Sequence, residues 1–366
     1  MRNKFFLISF IILITSCVNV YSQSSPLNDP NWTLNTAKSD EFNAARLDST
    51  KWHQLDACNG DIAWGCGSMF TPSHAMVDGV GHLDIQIDSS GGASPCFPNG
   101  KLTGGVMTLD TTYSYGYYET YAKLPGYSHL GADKADDFWP TFWTCTYADL
   151  YNNKCIHNEN DILEPGPAQY LGNTNVCGYW HEVTRATCPN TYGITKFIQS
   201  SYTIPSPGNF YSAYHKFASE WGPNRVIYYI DDVPFSATYN DVRLNAEGGQ
   251  QVMIDQQLIS MSGGCPFYLS HDNPGMTWPQ HYLTDYFHYY TLNLDCSNSS
   301  TLADQTAFNA FVFKVKSSIA IGNGSNSITL ASTDKKYFRA VNTITVNGNF
   351  TVPLGAELHL IPTPCN

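Results

Sequence analysis

Short runs in which apolar and polar residues alternate recur along the chain, and turn-forming residues separate them. The clearest run is Tyr-Gly-Tyr-Tyr-Glu-Thr-Tyr-Ala-Lys-Leu at positions 115–124, and similar runs occupy positions 82–87 and 225–230. A period of two sends successive side chains to opposite faces, so these runs predict antiparallel strands with one face on a core. Helical periodicity is nearly absent. Many short strands between Gly, Pro, Asn and Asp residues predict an all-β sandwich or barrel.

The composition changes near residue 296, which predicts two structural units. Trp, Tyr and Pro are frequent before this point, and no Trp follows the polar run that starts at Ser297. We therefore predict a large domain over residues 28–295 and a small β-rich C-terminal module over residues 302–366. Within the module, Asn-x-Ile-Thr occurs at positions 326–329 and 342–345, which suggests a weak internal repeat.

The first 22 residues predict an export signal. Arg2 and Lys4 precede an apolar run that is too short to span a bilayer, which needs about 20 residues. Cleavage after Ser22 is one interpretation. The alternative is a bacterial lipoprotein signal that ends before Cys17, which would then carry an outer-membrane lipid anchor. Either way we expect the protein to be secreted or held at the cell surface.

Composition and charge exclude several classes of protein. Aromatic residues make up 14% of the chain, enough for a large core, so general disorder is excluded. With 19 basic and 31 acidic residues the net charge is −12, which argues against a nucleic-acid partner. Eleven Cys residues, ten of them beyond Cys17, indicate disulfides in an exported protein, with pairs such as 58/66, 145/155 and 177/188 able to staple loops. The sequence does not give their connectivity or the oligomeric state.

The most informative segment is His-Asn-Glu-Asn-Asp-Ile-Leu-Glu-Pro-Gly at positions 157–166. Glu159 and Asp161 share one face of a strand, whereas Glu164 would point to the other face. One extra residue in a β-bulge would return Glu164 to the face of the other two acids. Paired carboxylates at such a site suit retaining glycoside hydrolysis, and a third can separate their pKa values. An acidic edge strand or a calcium loop is the alternative interpretation of this spacing.

Glu-x-Asp-x-x-Glu on a strand of an exported, Trp-rich and Tyr-rich β protein resembles glycoside hydrolase family 16. Further segments are similar to that family in the same order: Ser-Asp-Glu-Phe-Asn at 39–43, the strand at 115–125, Phe-Trp-Pro-Thr-Phe-Trp at 138–143, the hairpin at 214–232, and Asp-Tyr-Phe-His-Tyr-Tyr at 285–290. The resemblance covers residues 30–292. It implies a concanavalin-like β-jelly-roll sandwich with a curved sheet that forms a substrate cleft. The tail loosely resembles C-terminal modules of exported bacterial proteins.

The resemblance also implies roles for individual residues. Glu159 would be the nucleophile, Glu164 the general acid/base, and Asp161 would orient and tune Glu159. Substrate-binding candidates are Trp139, Trp143, His181 and Trp180, although the two residues of the Trp motif could instead be core residues and His181 a structural histidine.

The chain departs from the family pattern at Asn160, where an aliphatic residue is usual. The period of two points this side chain away from the cleft, so its amide needs a hydrogen-bond partner or a water molecule. No cofactor is expected for catalysis. The resemblance also implies a structural calcium ion held by Glu41, the backbone carbonyl near Gly81, and Asp285, which are oxygen donors of the kind that calcium prefers. Ordinary surface charge is the alternative interpretation of these residues.

The leading function is an endo-acting β-glycanase with a retaining double-displacement mechanism. Candidate substrates are a β-1,3- or mixed-linked glucan, or a β-galactan of the agar or carrageenan kind. The few basic residues weakly disfavour heavily sulfated chains. The alternative is a non-catalytic carbohydrate-binding or adhesion protein on the same fold. A serine hydrolase has little support, because no Gly-x-Ser-x-Gly elbow occurs.

Overall fold

The structure is a computed structural model, and it describes residues 26–61, 68–88, 101–125, 138–146, 156–164, 175–184, 193–203, 212–241, 244–246, 248–258 and 278–365. Up to residue 292 the strands are β1 Trp32–Leu34, β2 Trp52–Gln54, β3 Ser68–Phe70, β4 Ala75–Val77, β5 Leu83–Ile87, β6 Lys101–Thr103, β7 Gly105–Thr108, β8 Gly116–Lys123, β9 Phe138–Cys145, β10 Ile156–Glu164, β11 Asn175–Thr184, β12 Gly193–Thr203, β13 His215–Gly222, β14 Arg225–Ile230, β15 Val233–Tyr239, β16 Gln251–Leu258 and β17 Gln280–Leu292. Seven further strands follow: β18 Leu294–Asp295, β19 Ser300–Leu302, β20 Val315–Ile321, β21 Ile328–Thr329, β22 Lys335–Val346, β23 Phe350–Thr351 and β24 Glu357–Pro362.

Helix is almost absent from these ranges, as the alternating pattern predicted. The described α-helix is α1, Gln305–Asn309, and single 3₁₀ turns occur at Pro26–Asn28, Ala57–Asn59 and Pro72–His74. No helix in the described ranges has the length and apolar character needed to cross a bilayer. The expectation of an all-β protein is therefore confirmed.

Strands β1–β17 form two sheets that pack face to face. The ten-stranded sheet has the order β15-β14-β13-β8-β17-β5-β6-β3, with β1 beside β17 and β4 beside β5. The seven-stranded sheet has the order β12-β11-β10-β9-β16-β7-β2. Large apolar side chains from both sheets, such as Phe142 and Ile254 from one and Phe217 and Phe287 from the other, form the core between them. Each fully buried side chain of this size contributes about 1.5–3 kcal/mol to folding.

A second apolar cluster covers the other face of the seven-stranded sheet. Trp143 and Met253 belong to it, although their chain neighbours Phe142 and Ile254 belong to the core between the sheets. Cys145 is also buried in this cluster, and its pairing with Cys155, which their spacing allows, stays a prediction. Cys155 lies outside the described residues. A cysteine at a strand position that packs against apolar neighbours behaves as a small hydrophobic residue.

The chain after residue 293 winds into a small parallel β structure. Strands β18 and β19 pair with β20, β20 with β22, and β22 with β24, all in parallel, while β21 pairs with β23. Strands β21 and β23 lie in the chain between the strands of the larger of these two sheets, which contains β20, β22 and β24. The backbone therefore coils from one sheet to the other, and each coil stacks on its neighbour. Cys296 forms a disulfide with Cys365, which joins the two ends of this segment. The division at residues 295 and 302 stays a prediction.

The two Asn-x-Ile-Thr segments do not mark the structural repeat of these coils. Ile344 pairs with Ile319 in the larger sheet, whereas Ile328 lies in the smaller sheet beside Phe350. The two similar segments thus occupy different positions of the coil. The expected internal repeat is wrong in its register, since four residues carry too little pattern to define one.

A buried ion-pair network joins the chain after residue 293, called the coiled segment below, to the two-sheet sandwich. Arg339 on β22 donates from Nε to Asp29 Oδ2 at 2.7 Å and from Nη1 to Glu220 Oε1 at 3.0 Å. Glu220, on β13, also accepts a hydrogen bond from Arg225. Burial would raise the pKa of Glu220, but Arg339 and Arg225 hold it below the ordinary glutamate value. All these side chains are almost completely buried, so each charge depends on its partners for stabilisation.

We expect Arg339→Met to lower the free energy of unfolding by about 3–5 kcal/mol, because Asp29 and Glu220 would keep their buried charges without this cation. Urea denaturation of the full chain measures the change. Arg46→Met is the matched control, since Arg46 is exposed. Because the pKa of Glu220 is lower in the folded protein than in the unfolded chain, Glu220 stabilises the native state at pH values above its unfolded pKa. This stabilisation is lost as the pH falls through the folded pKa. Equal stability of the two variants at pH 7 would contradict the role of Arg339.

Candidate active site

The three carboxylates of the central motif lie on one face of β10. In the pairing of β10 with β11, Glu159 is opposite His181, Asp161 is opposite Tyr179, and Glu164 is opposite Cys177. Positions 181, 179 and 177 are two apart, so they share a face, and directly opposed residues of an antiparallel pair also share a face. The register shift between Asp161 and Glu164 is the predicted bulge. It brings Glu164 to the side of the strand on which the other two acids lie.

Burial along β10 agrees with this register. Ile162 and Leu163 are consecutive in the chain, yet both belong to the core between the sheets. In a regular strand one of them would point away from that core, so the extra residue of the bulge is accommodated here. Glu159 and Glu164 are partly exposed on the opposite face, and Asp161 is 6% exposed. A buried acid thus lies between two accessible ones.

Asn160 has the hydrogen-bond partners that the sequence analysis required. Its side chain points into the core, where Tyr228 Oη donates to Asn160 Oδ1 at 2.7 Å. The amide nitrogen of Asn160 donates to Ser219 Oγ at 3.4 Å. Tyr228 is on β14 and Ser219 on β13, both in the ten-stranded sheet. The departure from the family pattern therefore connects the acid-bearing strand to the opposite sheet by hydrogen bonds.

Trp143 is held by a buried carboxyl group that the sequence analysis missed. It lies opposite Asp161 on β9, and its indole Nε1 donates to Asp255 Oδ2 at 2.8 Å. Asp255 is on β16, 1% exposed, and also accepts a hydrogen bond from Gln257. Burial raises the pKa of Asp255, although these hydrogen bonds oppose the rise. An acid inside the run Gln-Val-Met-Ile-Asp-Gln-Gln-Leu at 251–258 was the signal that could have identified it.

The remaining substrate-binding candidates are placed by strand register. Trp139 is partly buried and shares a face with Trp143 on β9. Its indole Nε1 is buried and has no hydrogen-bond partner among the described residues. On β11, His181 is opposite Glu159, and Trp180 is opposite Asn160, the position that faces the core. The binding roles of all four stay predictions.

Two of the expected calcium donors, Glu41 and Asp285, are near enough to interact electrostatically. Burial raises the pKa of Asp285, and the nearby Glu41 carboxylate adds to the rise while histidine side chains oppose it. Glu41 Oε1 lies 2.8 Å from His288 Nε2. Gly81 has φ +109°, and a Cβ there would lie 2.9 Å from Asn43 Oδ1. Among the described residues no group of three or more His, Cys, Asp or Glu side chains could hold a metal, but two carboxylates and a carbonyl suit calcium.

We expect Tyr228→Phe to lower the free energy of unfolding by about 1–3 kcal/mol, because Asn160 Oδ1 loses its donor in a buried site. The double variant with Asn160→Leu should cost less than the sum of the two single changes, since the Tyr228 hydroxyl and the Asn160 carbonyl oxygen that it binds are then removed together. Chemical denaturation of the four proteins gives the coupling, and Tyr239→Phe, at an exposed tyrosine, is the control. Strictly additive costs would contradict the coupling.

Comparisons with known proteins agree with this geometry. The sequence profile of Glycosyl hydrolases family 16 matches residues 66–254, which is more than half of the chain. Glucan endo-1,3-beta-glucosidase A1 of Niallia circulans is 25% identical over 213 residues, or 54% of this chain and 28% of that protein. Glucan endo-1,3-beta-glucosidase of Cryptopygus antarcticus is 25% identical over 201 residues, or 53% of this chain and 65% of that protein. The matched region thus spans less than two thirds of either relative.

A solved structure shows the same fold. The catalytic domain of an endo-1,3-beta-glucanase (laminarinase) from Thermotoga petrophila RKU-1 superposes with a TM-score of 0.54 at 22% sequence identity. The superposition covers 71% of this chain and 98% of that structure. The β-jelly-roll sandwich expected from the resemblance is therefore confirmed. Together with the profile match and the carboxylates on β10, this fold establishes that the chain belongs to glycosyl hydrolase family 16.

Proposed function

We propose that this protein is an exported, endo-acting hydrolase of β-linked polysaccharide that retains the anomeric configuration. The observation that carries the proposal is the single face of β10 shared by Glu159, Asp161 and Glu164 through the bulge. Export by the N-terminal signal, with or without a lipid anchor at Cys17, is part of the proposal. Residues 1–25 lie outside the described residues.

In the proposed mechanism Glu159 attacks the anomeric carbon while Glu164 donates a proton to the leaving glycosidic oxygen. The bond between sugar and leaving group breaks, and a glycosyl ester on Glu159 forms. Glu164, now a carboxylate, removes a proton from water, which attacks the same carbon and releases Glu159. Asp161 lies between them and is nearly buried, so it is placed to orient Glu159 and to keep the two pKa values apart.

Aromatic side chains beside the acids would bind the sugar rings. Sugars present apolar faces that indole rings can cover, and polar groups then fix their orientation. Trp139 offers an apolar ring face and a polar group, because its ring is partly exposed and its buried N–H has no protein partner among the described residues. Trp143 is 6% exposed and is held by Asp255, so it would support the floor of the site.

β-1,3-Glucan is the first candidate substrate. Both curated relatives are named glucan endo-1,3-beta-glucosidases, and each matches slightly more than half of this chain. β-Galactans of the agar or carrageenan kind are the second candidate. The net charge of −12 disfavours the heavily sulfated members, because like charges repel an anionic polymer.

We expect Glu159→Gln to lower kcat on laminarin at least about 10⁴-fold, because an amide cannot form the glycosyl ester. Glu164→Gln should lower it about 10²–10⁴-fold by removing the proton donor. Reducing-end assays of the purified mature protein measure both losses, on a panel that also includes mixed-linkage glucan, agarose and carrageenan. Arg46→Gln, a change to glutamine at an exposed site away from the acids, is the control and should leave kcat unchanged. Retained binding without hydrolysis of any polymer would favour the non-catalytic alternative.

We also propose that Glu41, the carbonyl near Gly81, and Asp285 hold a structural calcium ion. A cation between the two carboxylates would relieve the repulsion that contributes to the raised pKa of Asp285. We expect CaCl₂ to raise the Tm of metal-stripped protein by several degrees relative to MgCl₂. Asp285→Asn should remove most of the rise. An identical Tm in both salts and in the stripped protein would contradict the site.

A further inference from the structure

A groove of about 910 Å³ lies between the ten-stranded sheet and the coiled segment. Strands β14 and β15 line one side of it, and β22 and β24 line the other. Tyr229, which lines the groove, follows Tyr228 of the core between the sheets, so it lies on the outer face of the ten-stranded sheet. The groove is therefore on the side of the sandwich opposite to the carboxylates of β10. Its volume is in the range of protein sites that bind small molecules.

Two ring surfaces line this groove. Tyr239, the last residue of β15, is 57% exposed. His359 on β24 is stacked on Tyr337 with ring centroids 4.3 Å apart and planes 4° apart. Both Tyr239 and His359 line the groove. Stacking on Tyr337 fixes the orientation of the His359 ring, so one flat surface is rigid before any ligand binds.

The charged residues of the groove neutralise one another. Glu220 pairs with Arg225 and Arg339, as described above. Lys335 Nζ lies 2.6 Å from Glu357 Oε1. The remaining acid, Asp232, lies 3.0 Å from Lys216 Nζ. Neither a surplus of positive charge nor one of negative charge is left in the described part of the groove, so it offers no electrostatic attraction for an anionic or cationic polymer.

Uncharged hydrogen-bonding groups are available in the same place. The side chains of Asn28 and Asn240 are exposed at the groove, and neither makes a hydrogen bond within the described residues. An amide offers two donors and an acceptor. Flat rings, unengaged amides and balanced charge are the properties that recognise sugar rings with their apolar faces and hydroxyl groups.

We propose that this groove is a second glycan-binding site, which holds a neutral polysaccharide chain away from the site of hydrolysis. The choice of a neutral glycan as occupant rests in part on the proposed function, because the protein would meet that polymer as its substrate. A chain bound on this side keeps the protein on the polymer between cleavage events. The coiled segment then contributes one wall of a binding site as well as packing against the sandwich.

Native affinity electrophoresis of the full chain tests the proposal. The Glu159→Gln protein is run in gels that contain laminarin, mixed-linkage glucan or κ-carrageenan, so that binding is measured without turnover. We expect a neutral glucan to retard the protein, and Tyr239→Ala and His359→Ala to weaken the apparent Kd about threefold or more, the scale of losing one ring contact. Val233→Ala, an exposed change on the same strand outside the groove lining, is the matched control and should leave retardation unchanged.

Kinetics with Glu159 intact provide a separate measurement. The groove variants should raise KM for polymeric laminarin about threefold or more and leave kcat and the hydrolysis of laminaritetraose unchanged, since a short chain cannot occupy both sites. No retardation by either glucan, retardation by carrageenan alone, or equal retardation of groove and control variants would each overturn the proposal. Failure of hydrolysis alone would instead affect the proposed function, because the gel measurement does not depend on turnover. Concentration-dependent dimerisation lost in the groove variants would assign the groove to a second copy of the chain.

Discussion

The period of two in a β-strand is the constraint on which the site depends. Residues two apart share a face, so Glu159 and Asp161 point the same way without special geometry, whereas Glu164, three residues after Asp161, would point into the core. The bulge changes this by taking up one residue, and Ile162 and Leu163 both enter the core as a consequence. Two consecutive apolar side chains in the core stabilise the bulge, because a regular strand would expose one of them. The carboxylates therefore meet on one face at no cost in apolar burial.

Polar and apolar contacts on both faces hold β10 in place. Asn160 is hydrogen-bonded to Tyr228 and Ser219 of the opposite sheet, between neighbours that carry the functional acids. On the other face, Asp255 holds the indole of Trp143 beside Asp161. A buried amide or carboxyl group costs free energy unless it has partners, so these contacts favour one arrangement of the strands over alternatives with shifted register. A site that needs three carboxylates in fixed positions gains from such restraint.

The coiled C-terminal segment is bound to the sandwich through charge rather than through apolar contact alone. Arg339 reaches Glu220 and Asp29, all of them buried, and this pairing connects β22 to β13 and to the chain just before β1. Arg339 and Glu220 also line the groove between the sandwich and the coiled segment. Tyr337 contributes twice, since its hydroxyl donates to the carbonyl of Leu27 and its ring supports His359.

The sequence by itself determined the all-β class, the family, the three acids and the need for a bulge and for a partner of Asn160. The family followed from the resemblance of several motifs in order, and the rest followed from local pattern, because period and spacing along a strand are properties of neighbouring residues. Only the tertiary structure decided which groups meet across strands: Tyr228 with Asn160, Asp255 with Trp143, and Arg339 with Glu220. Contacts between residues tens to hundreds of positions apart depend on sheet order and register, which no local pattern specifies.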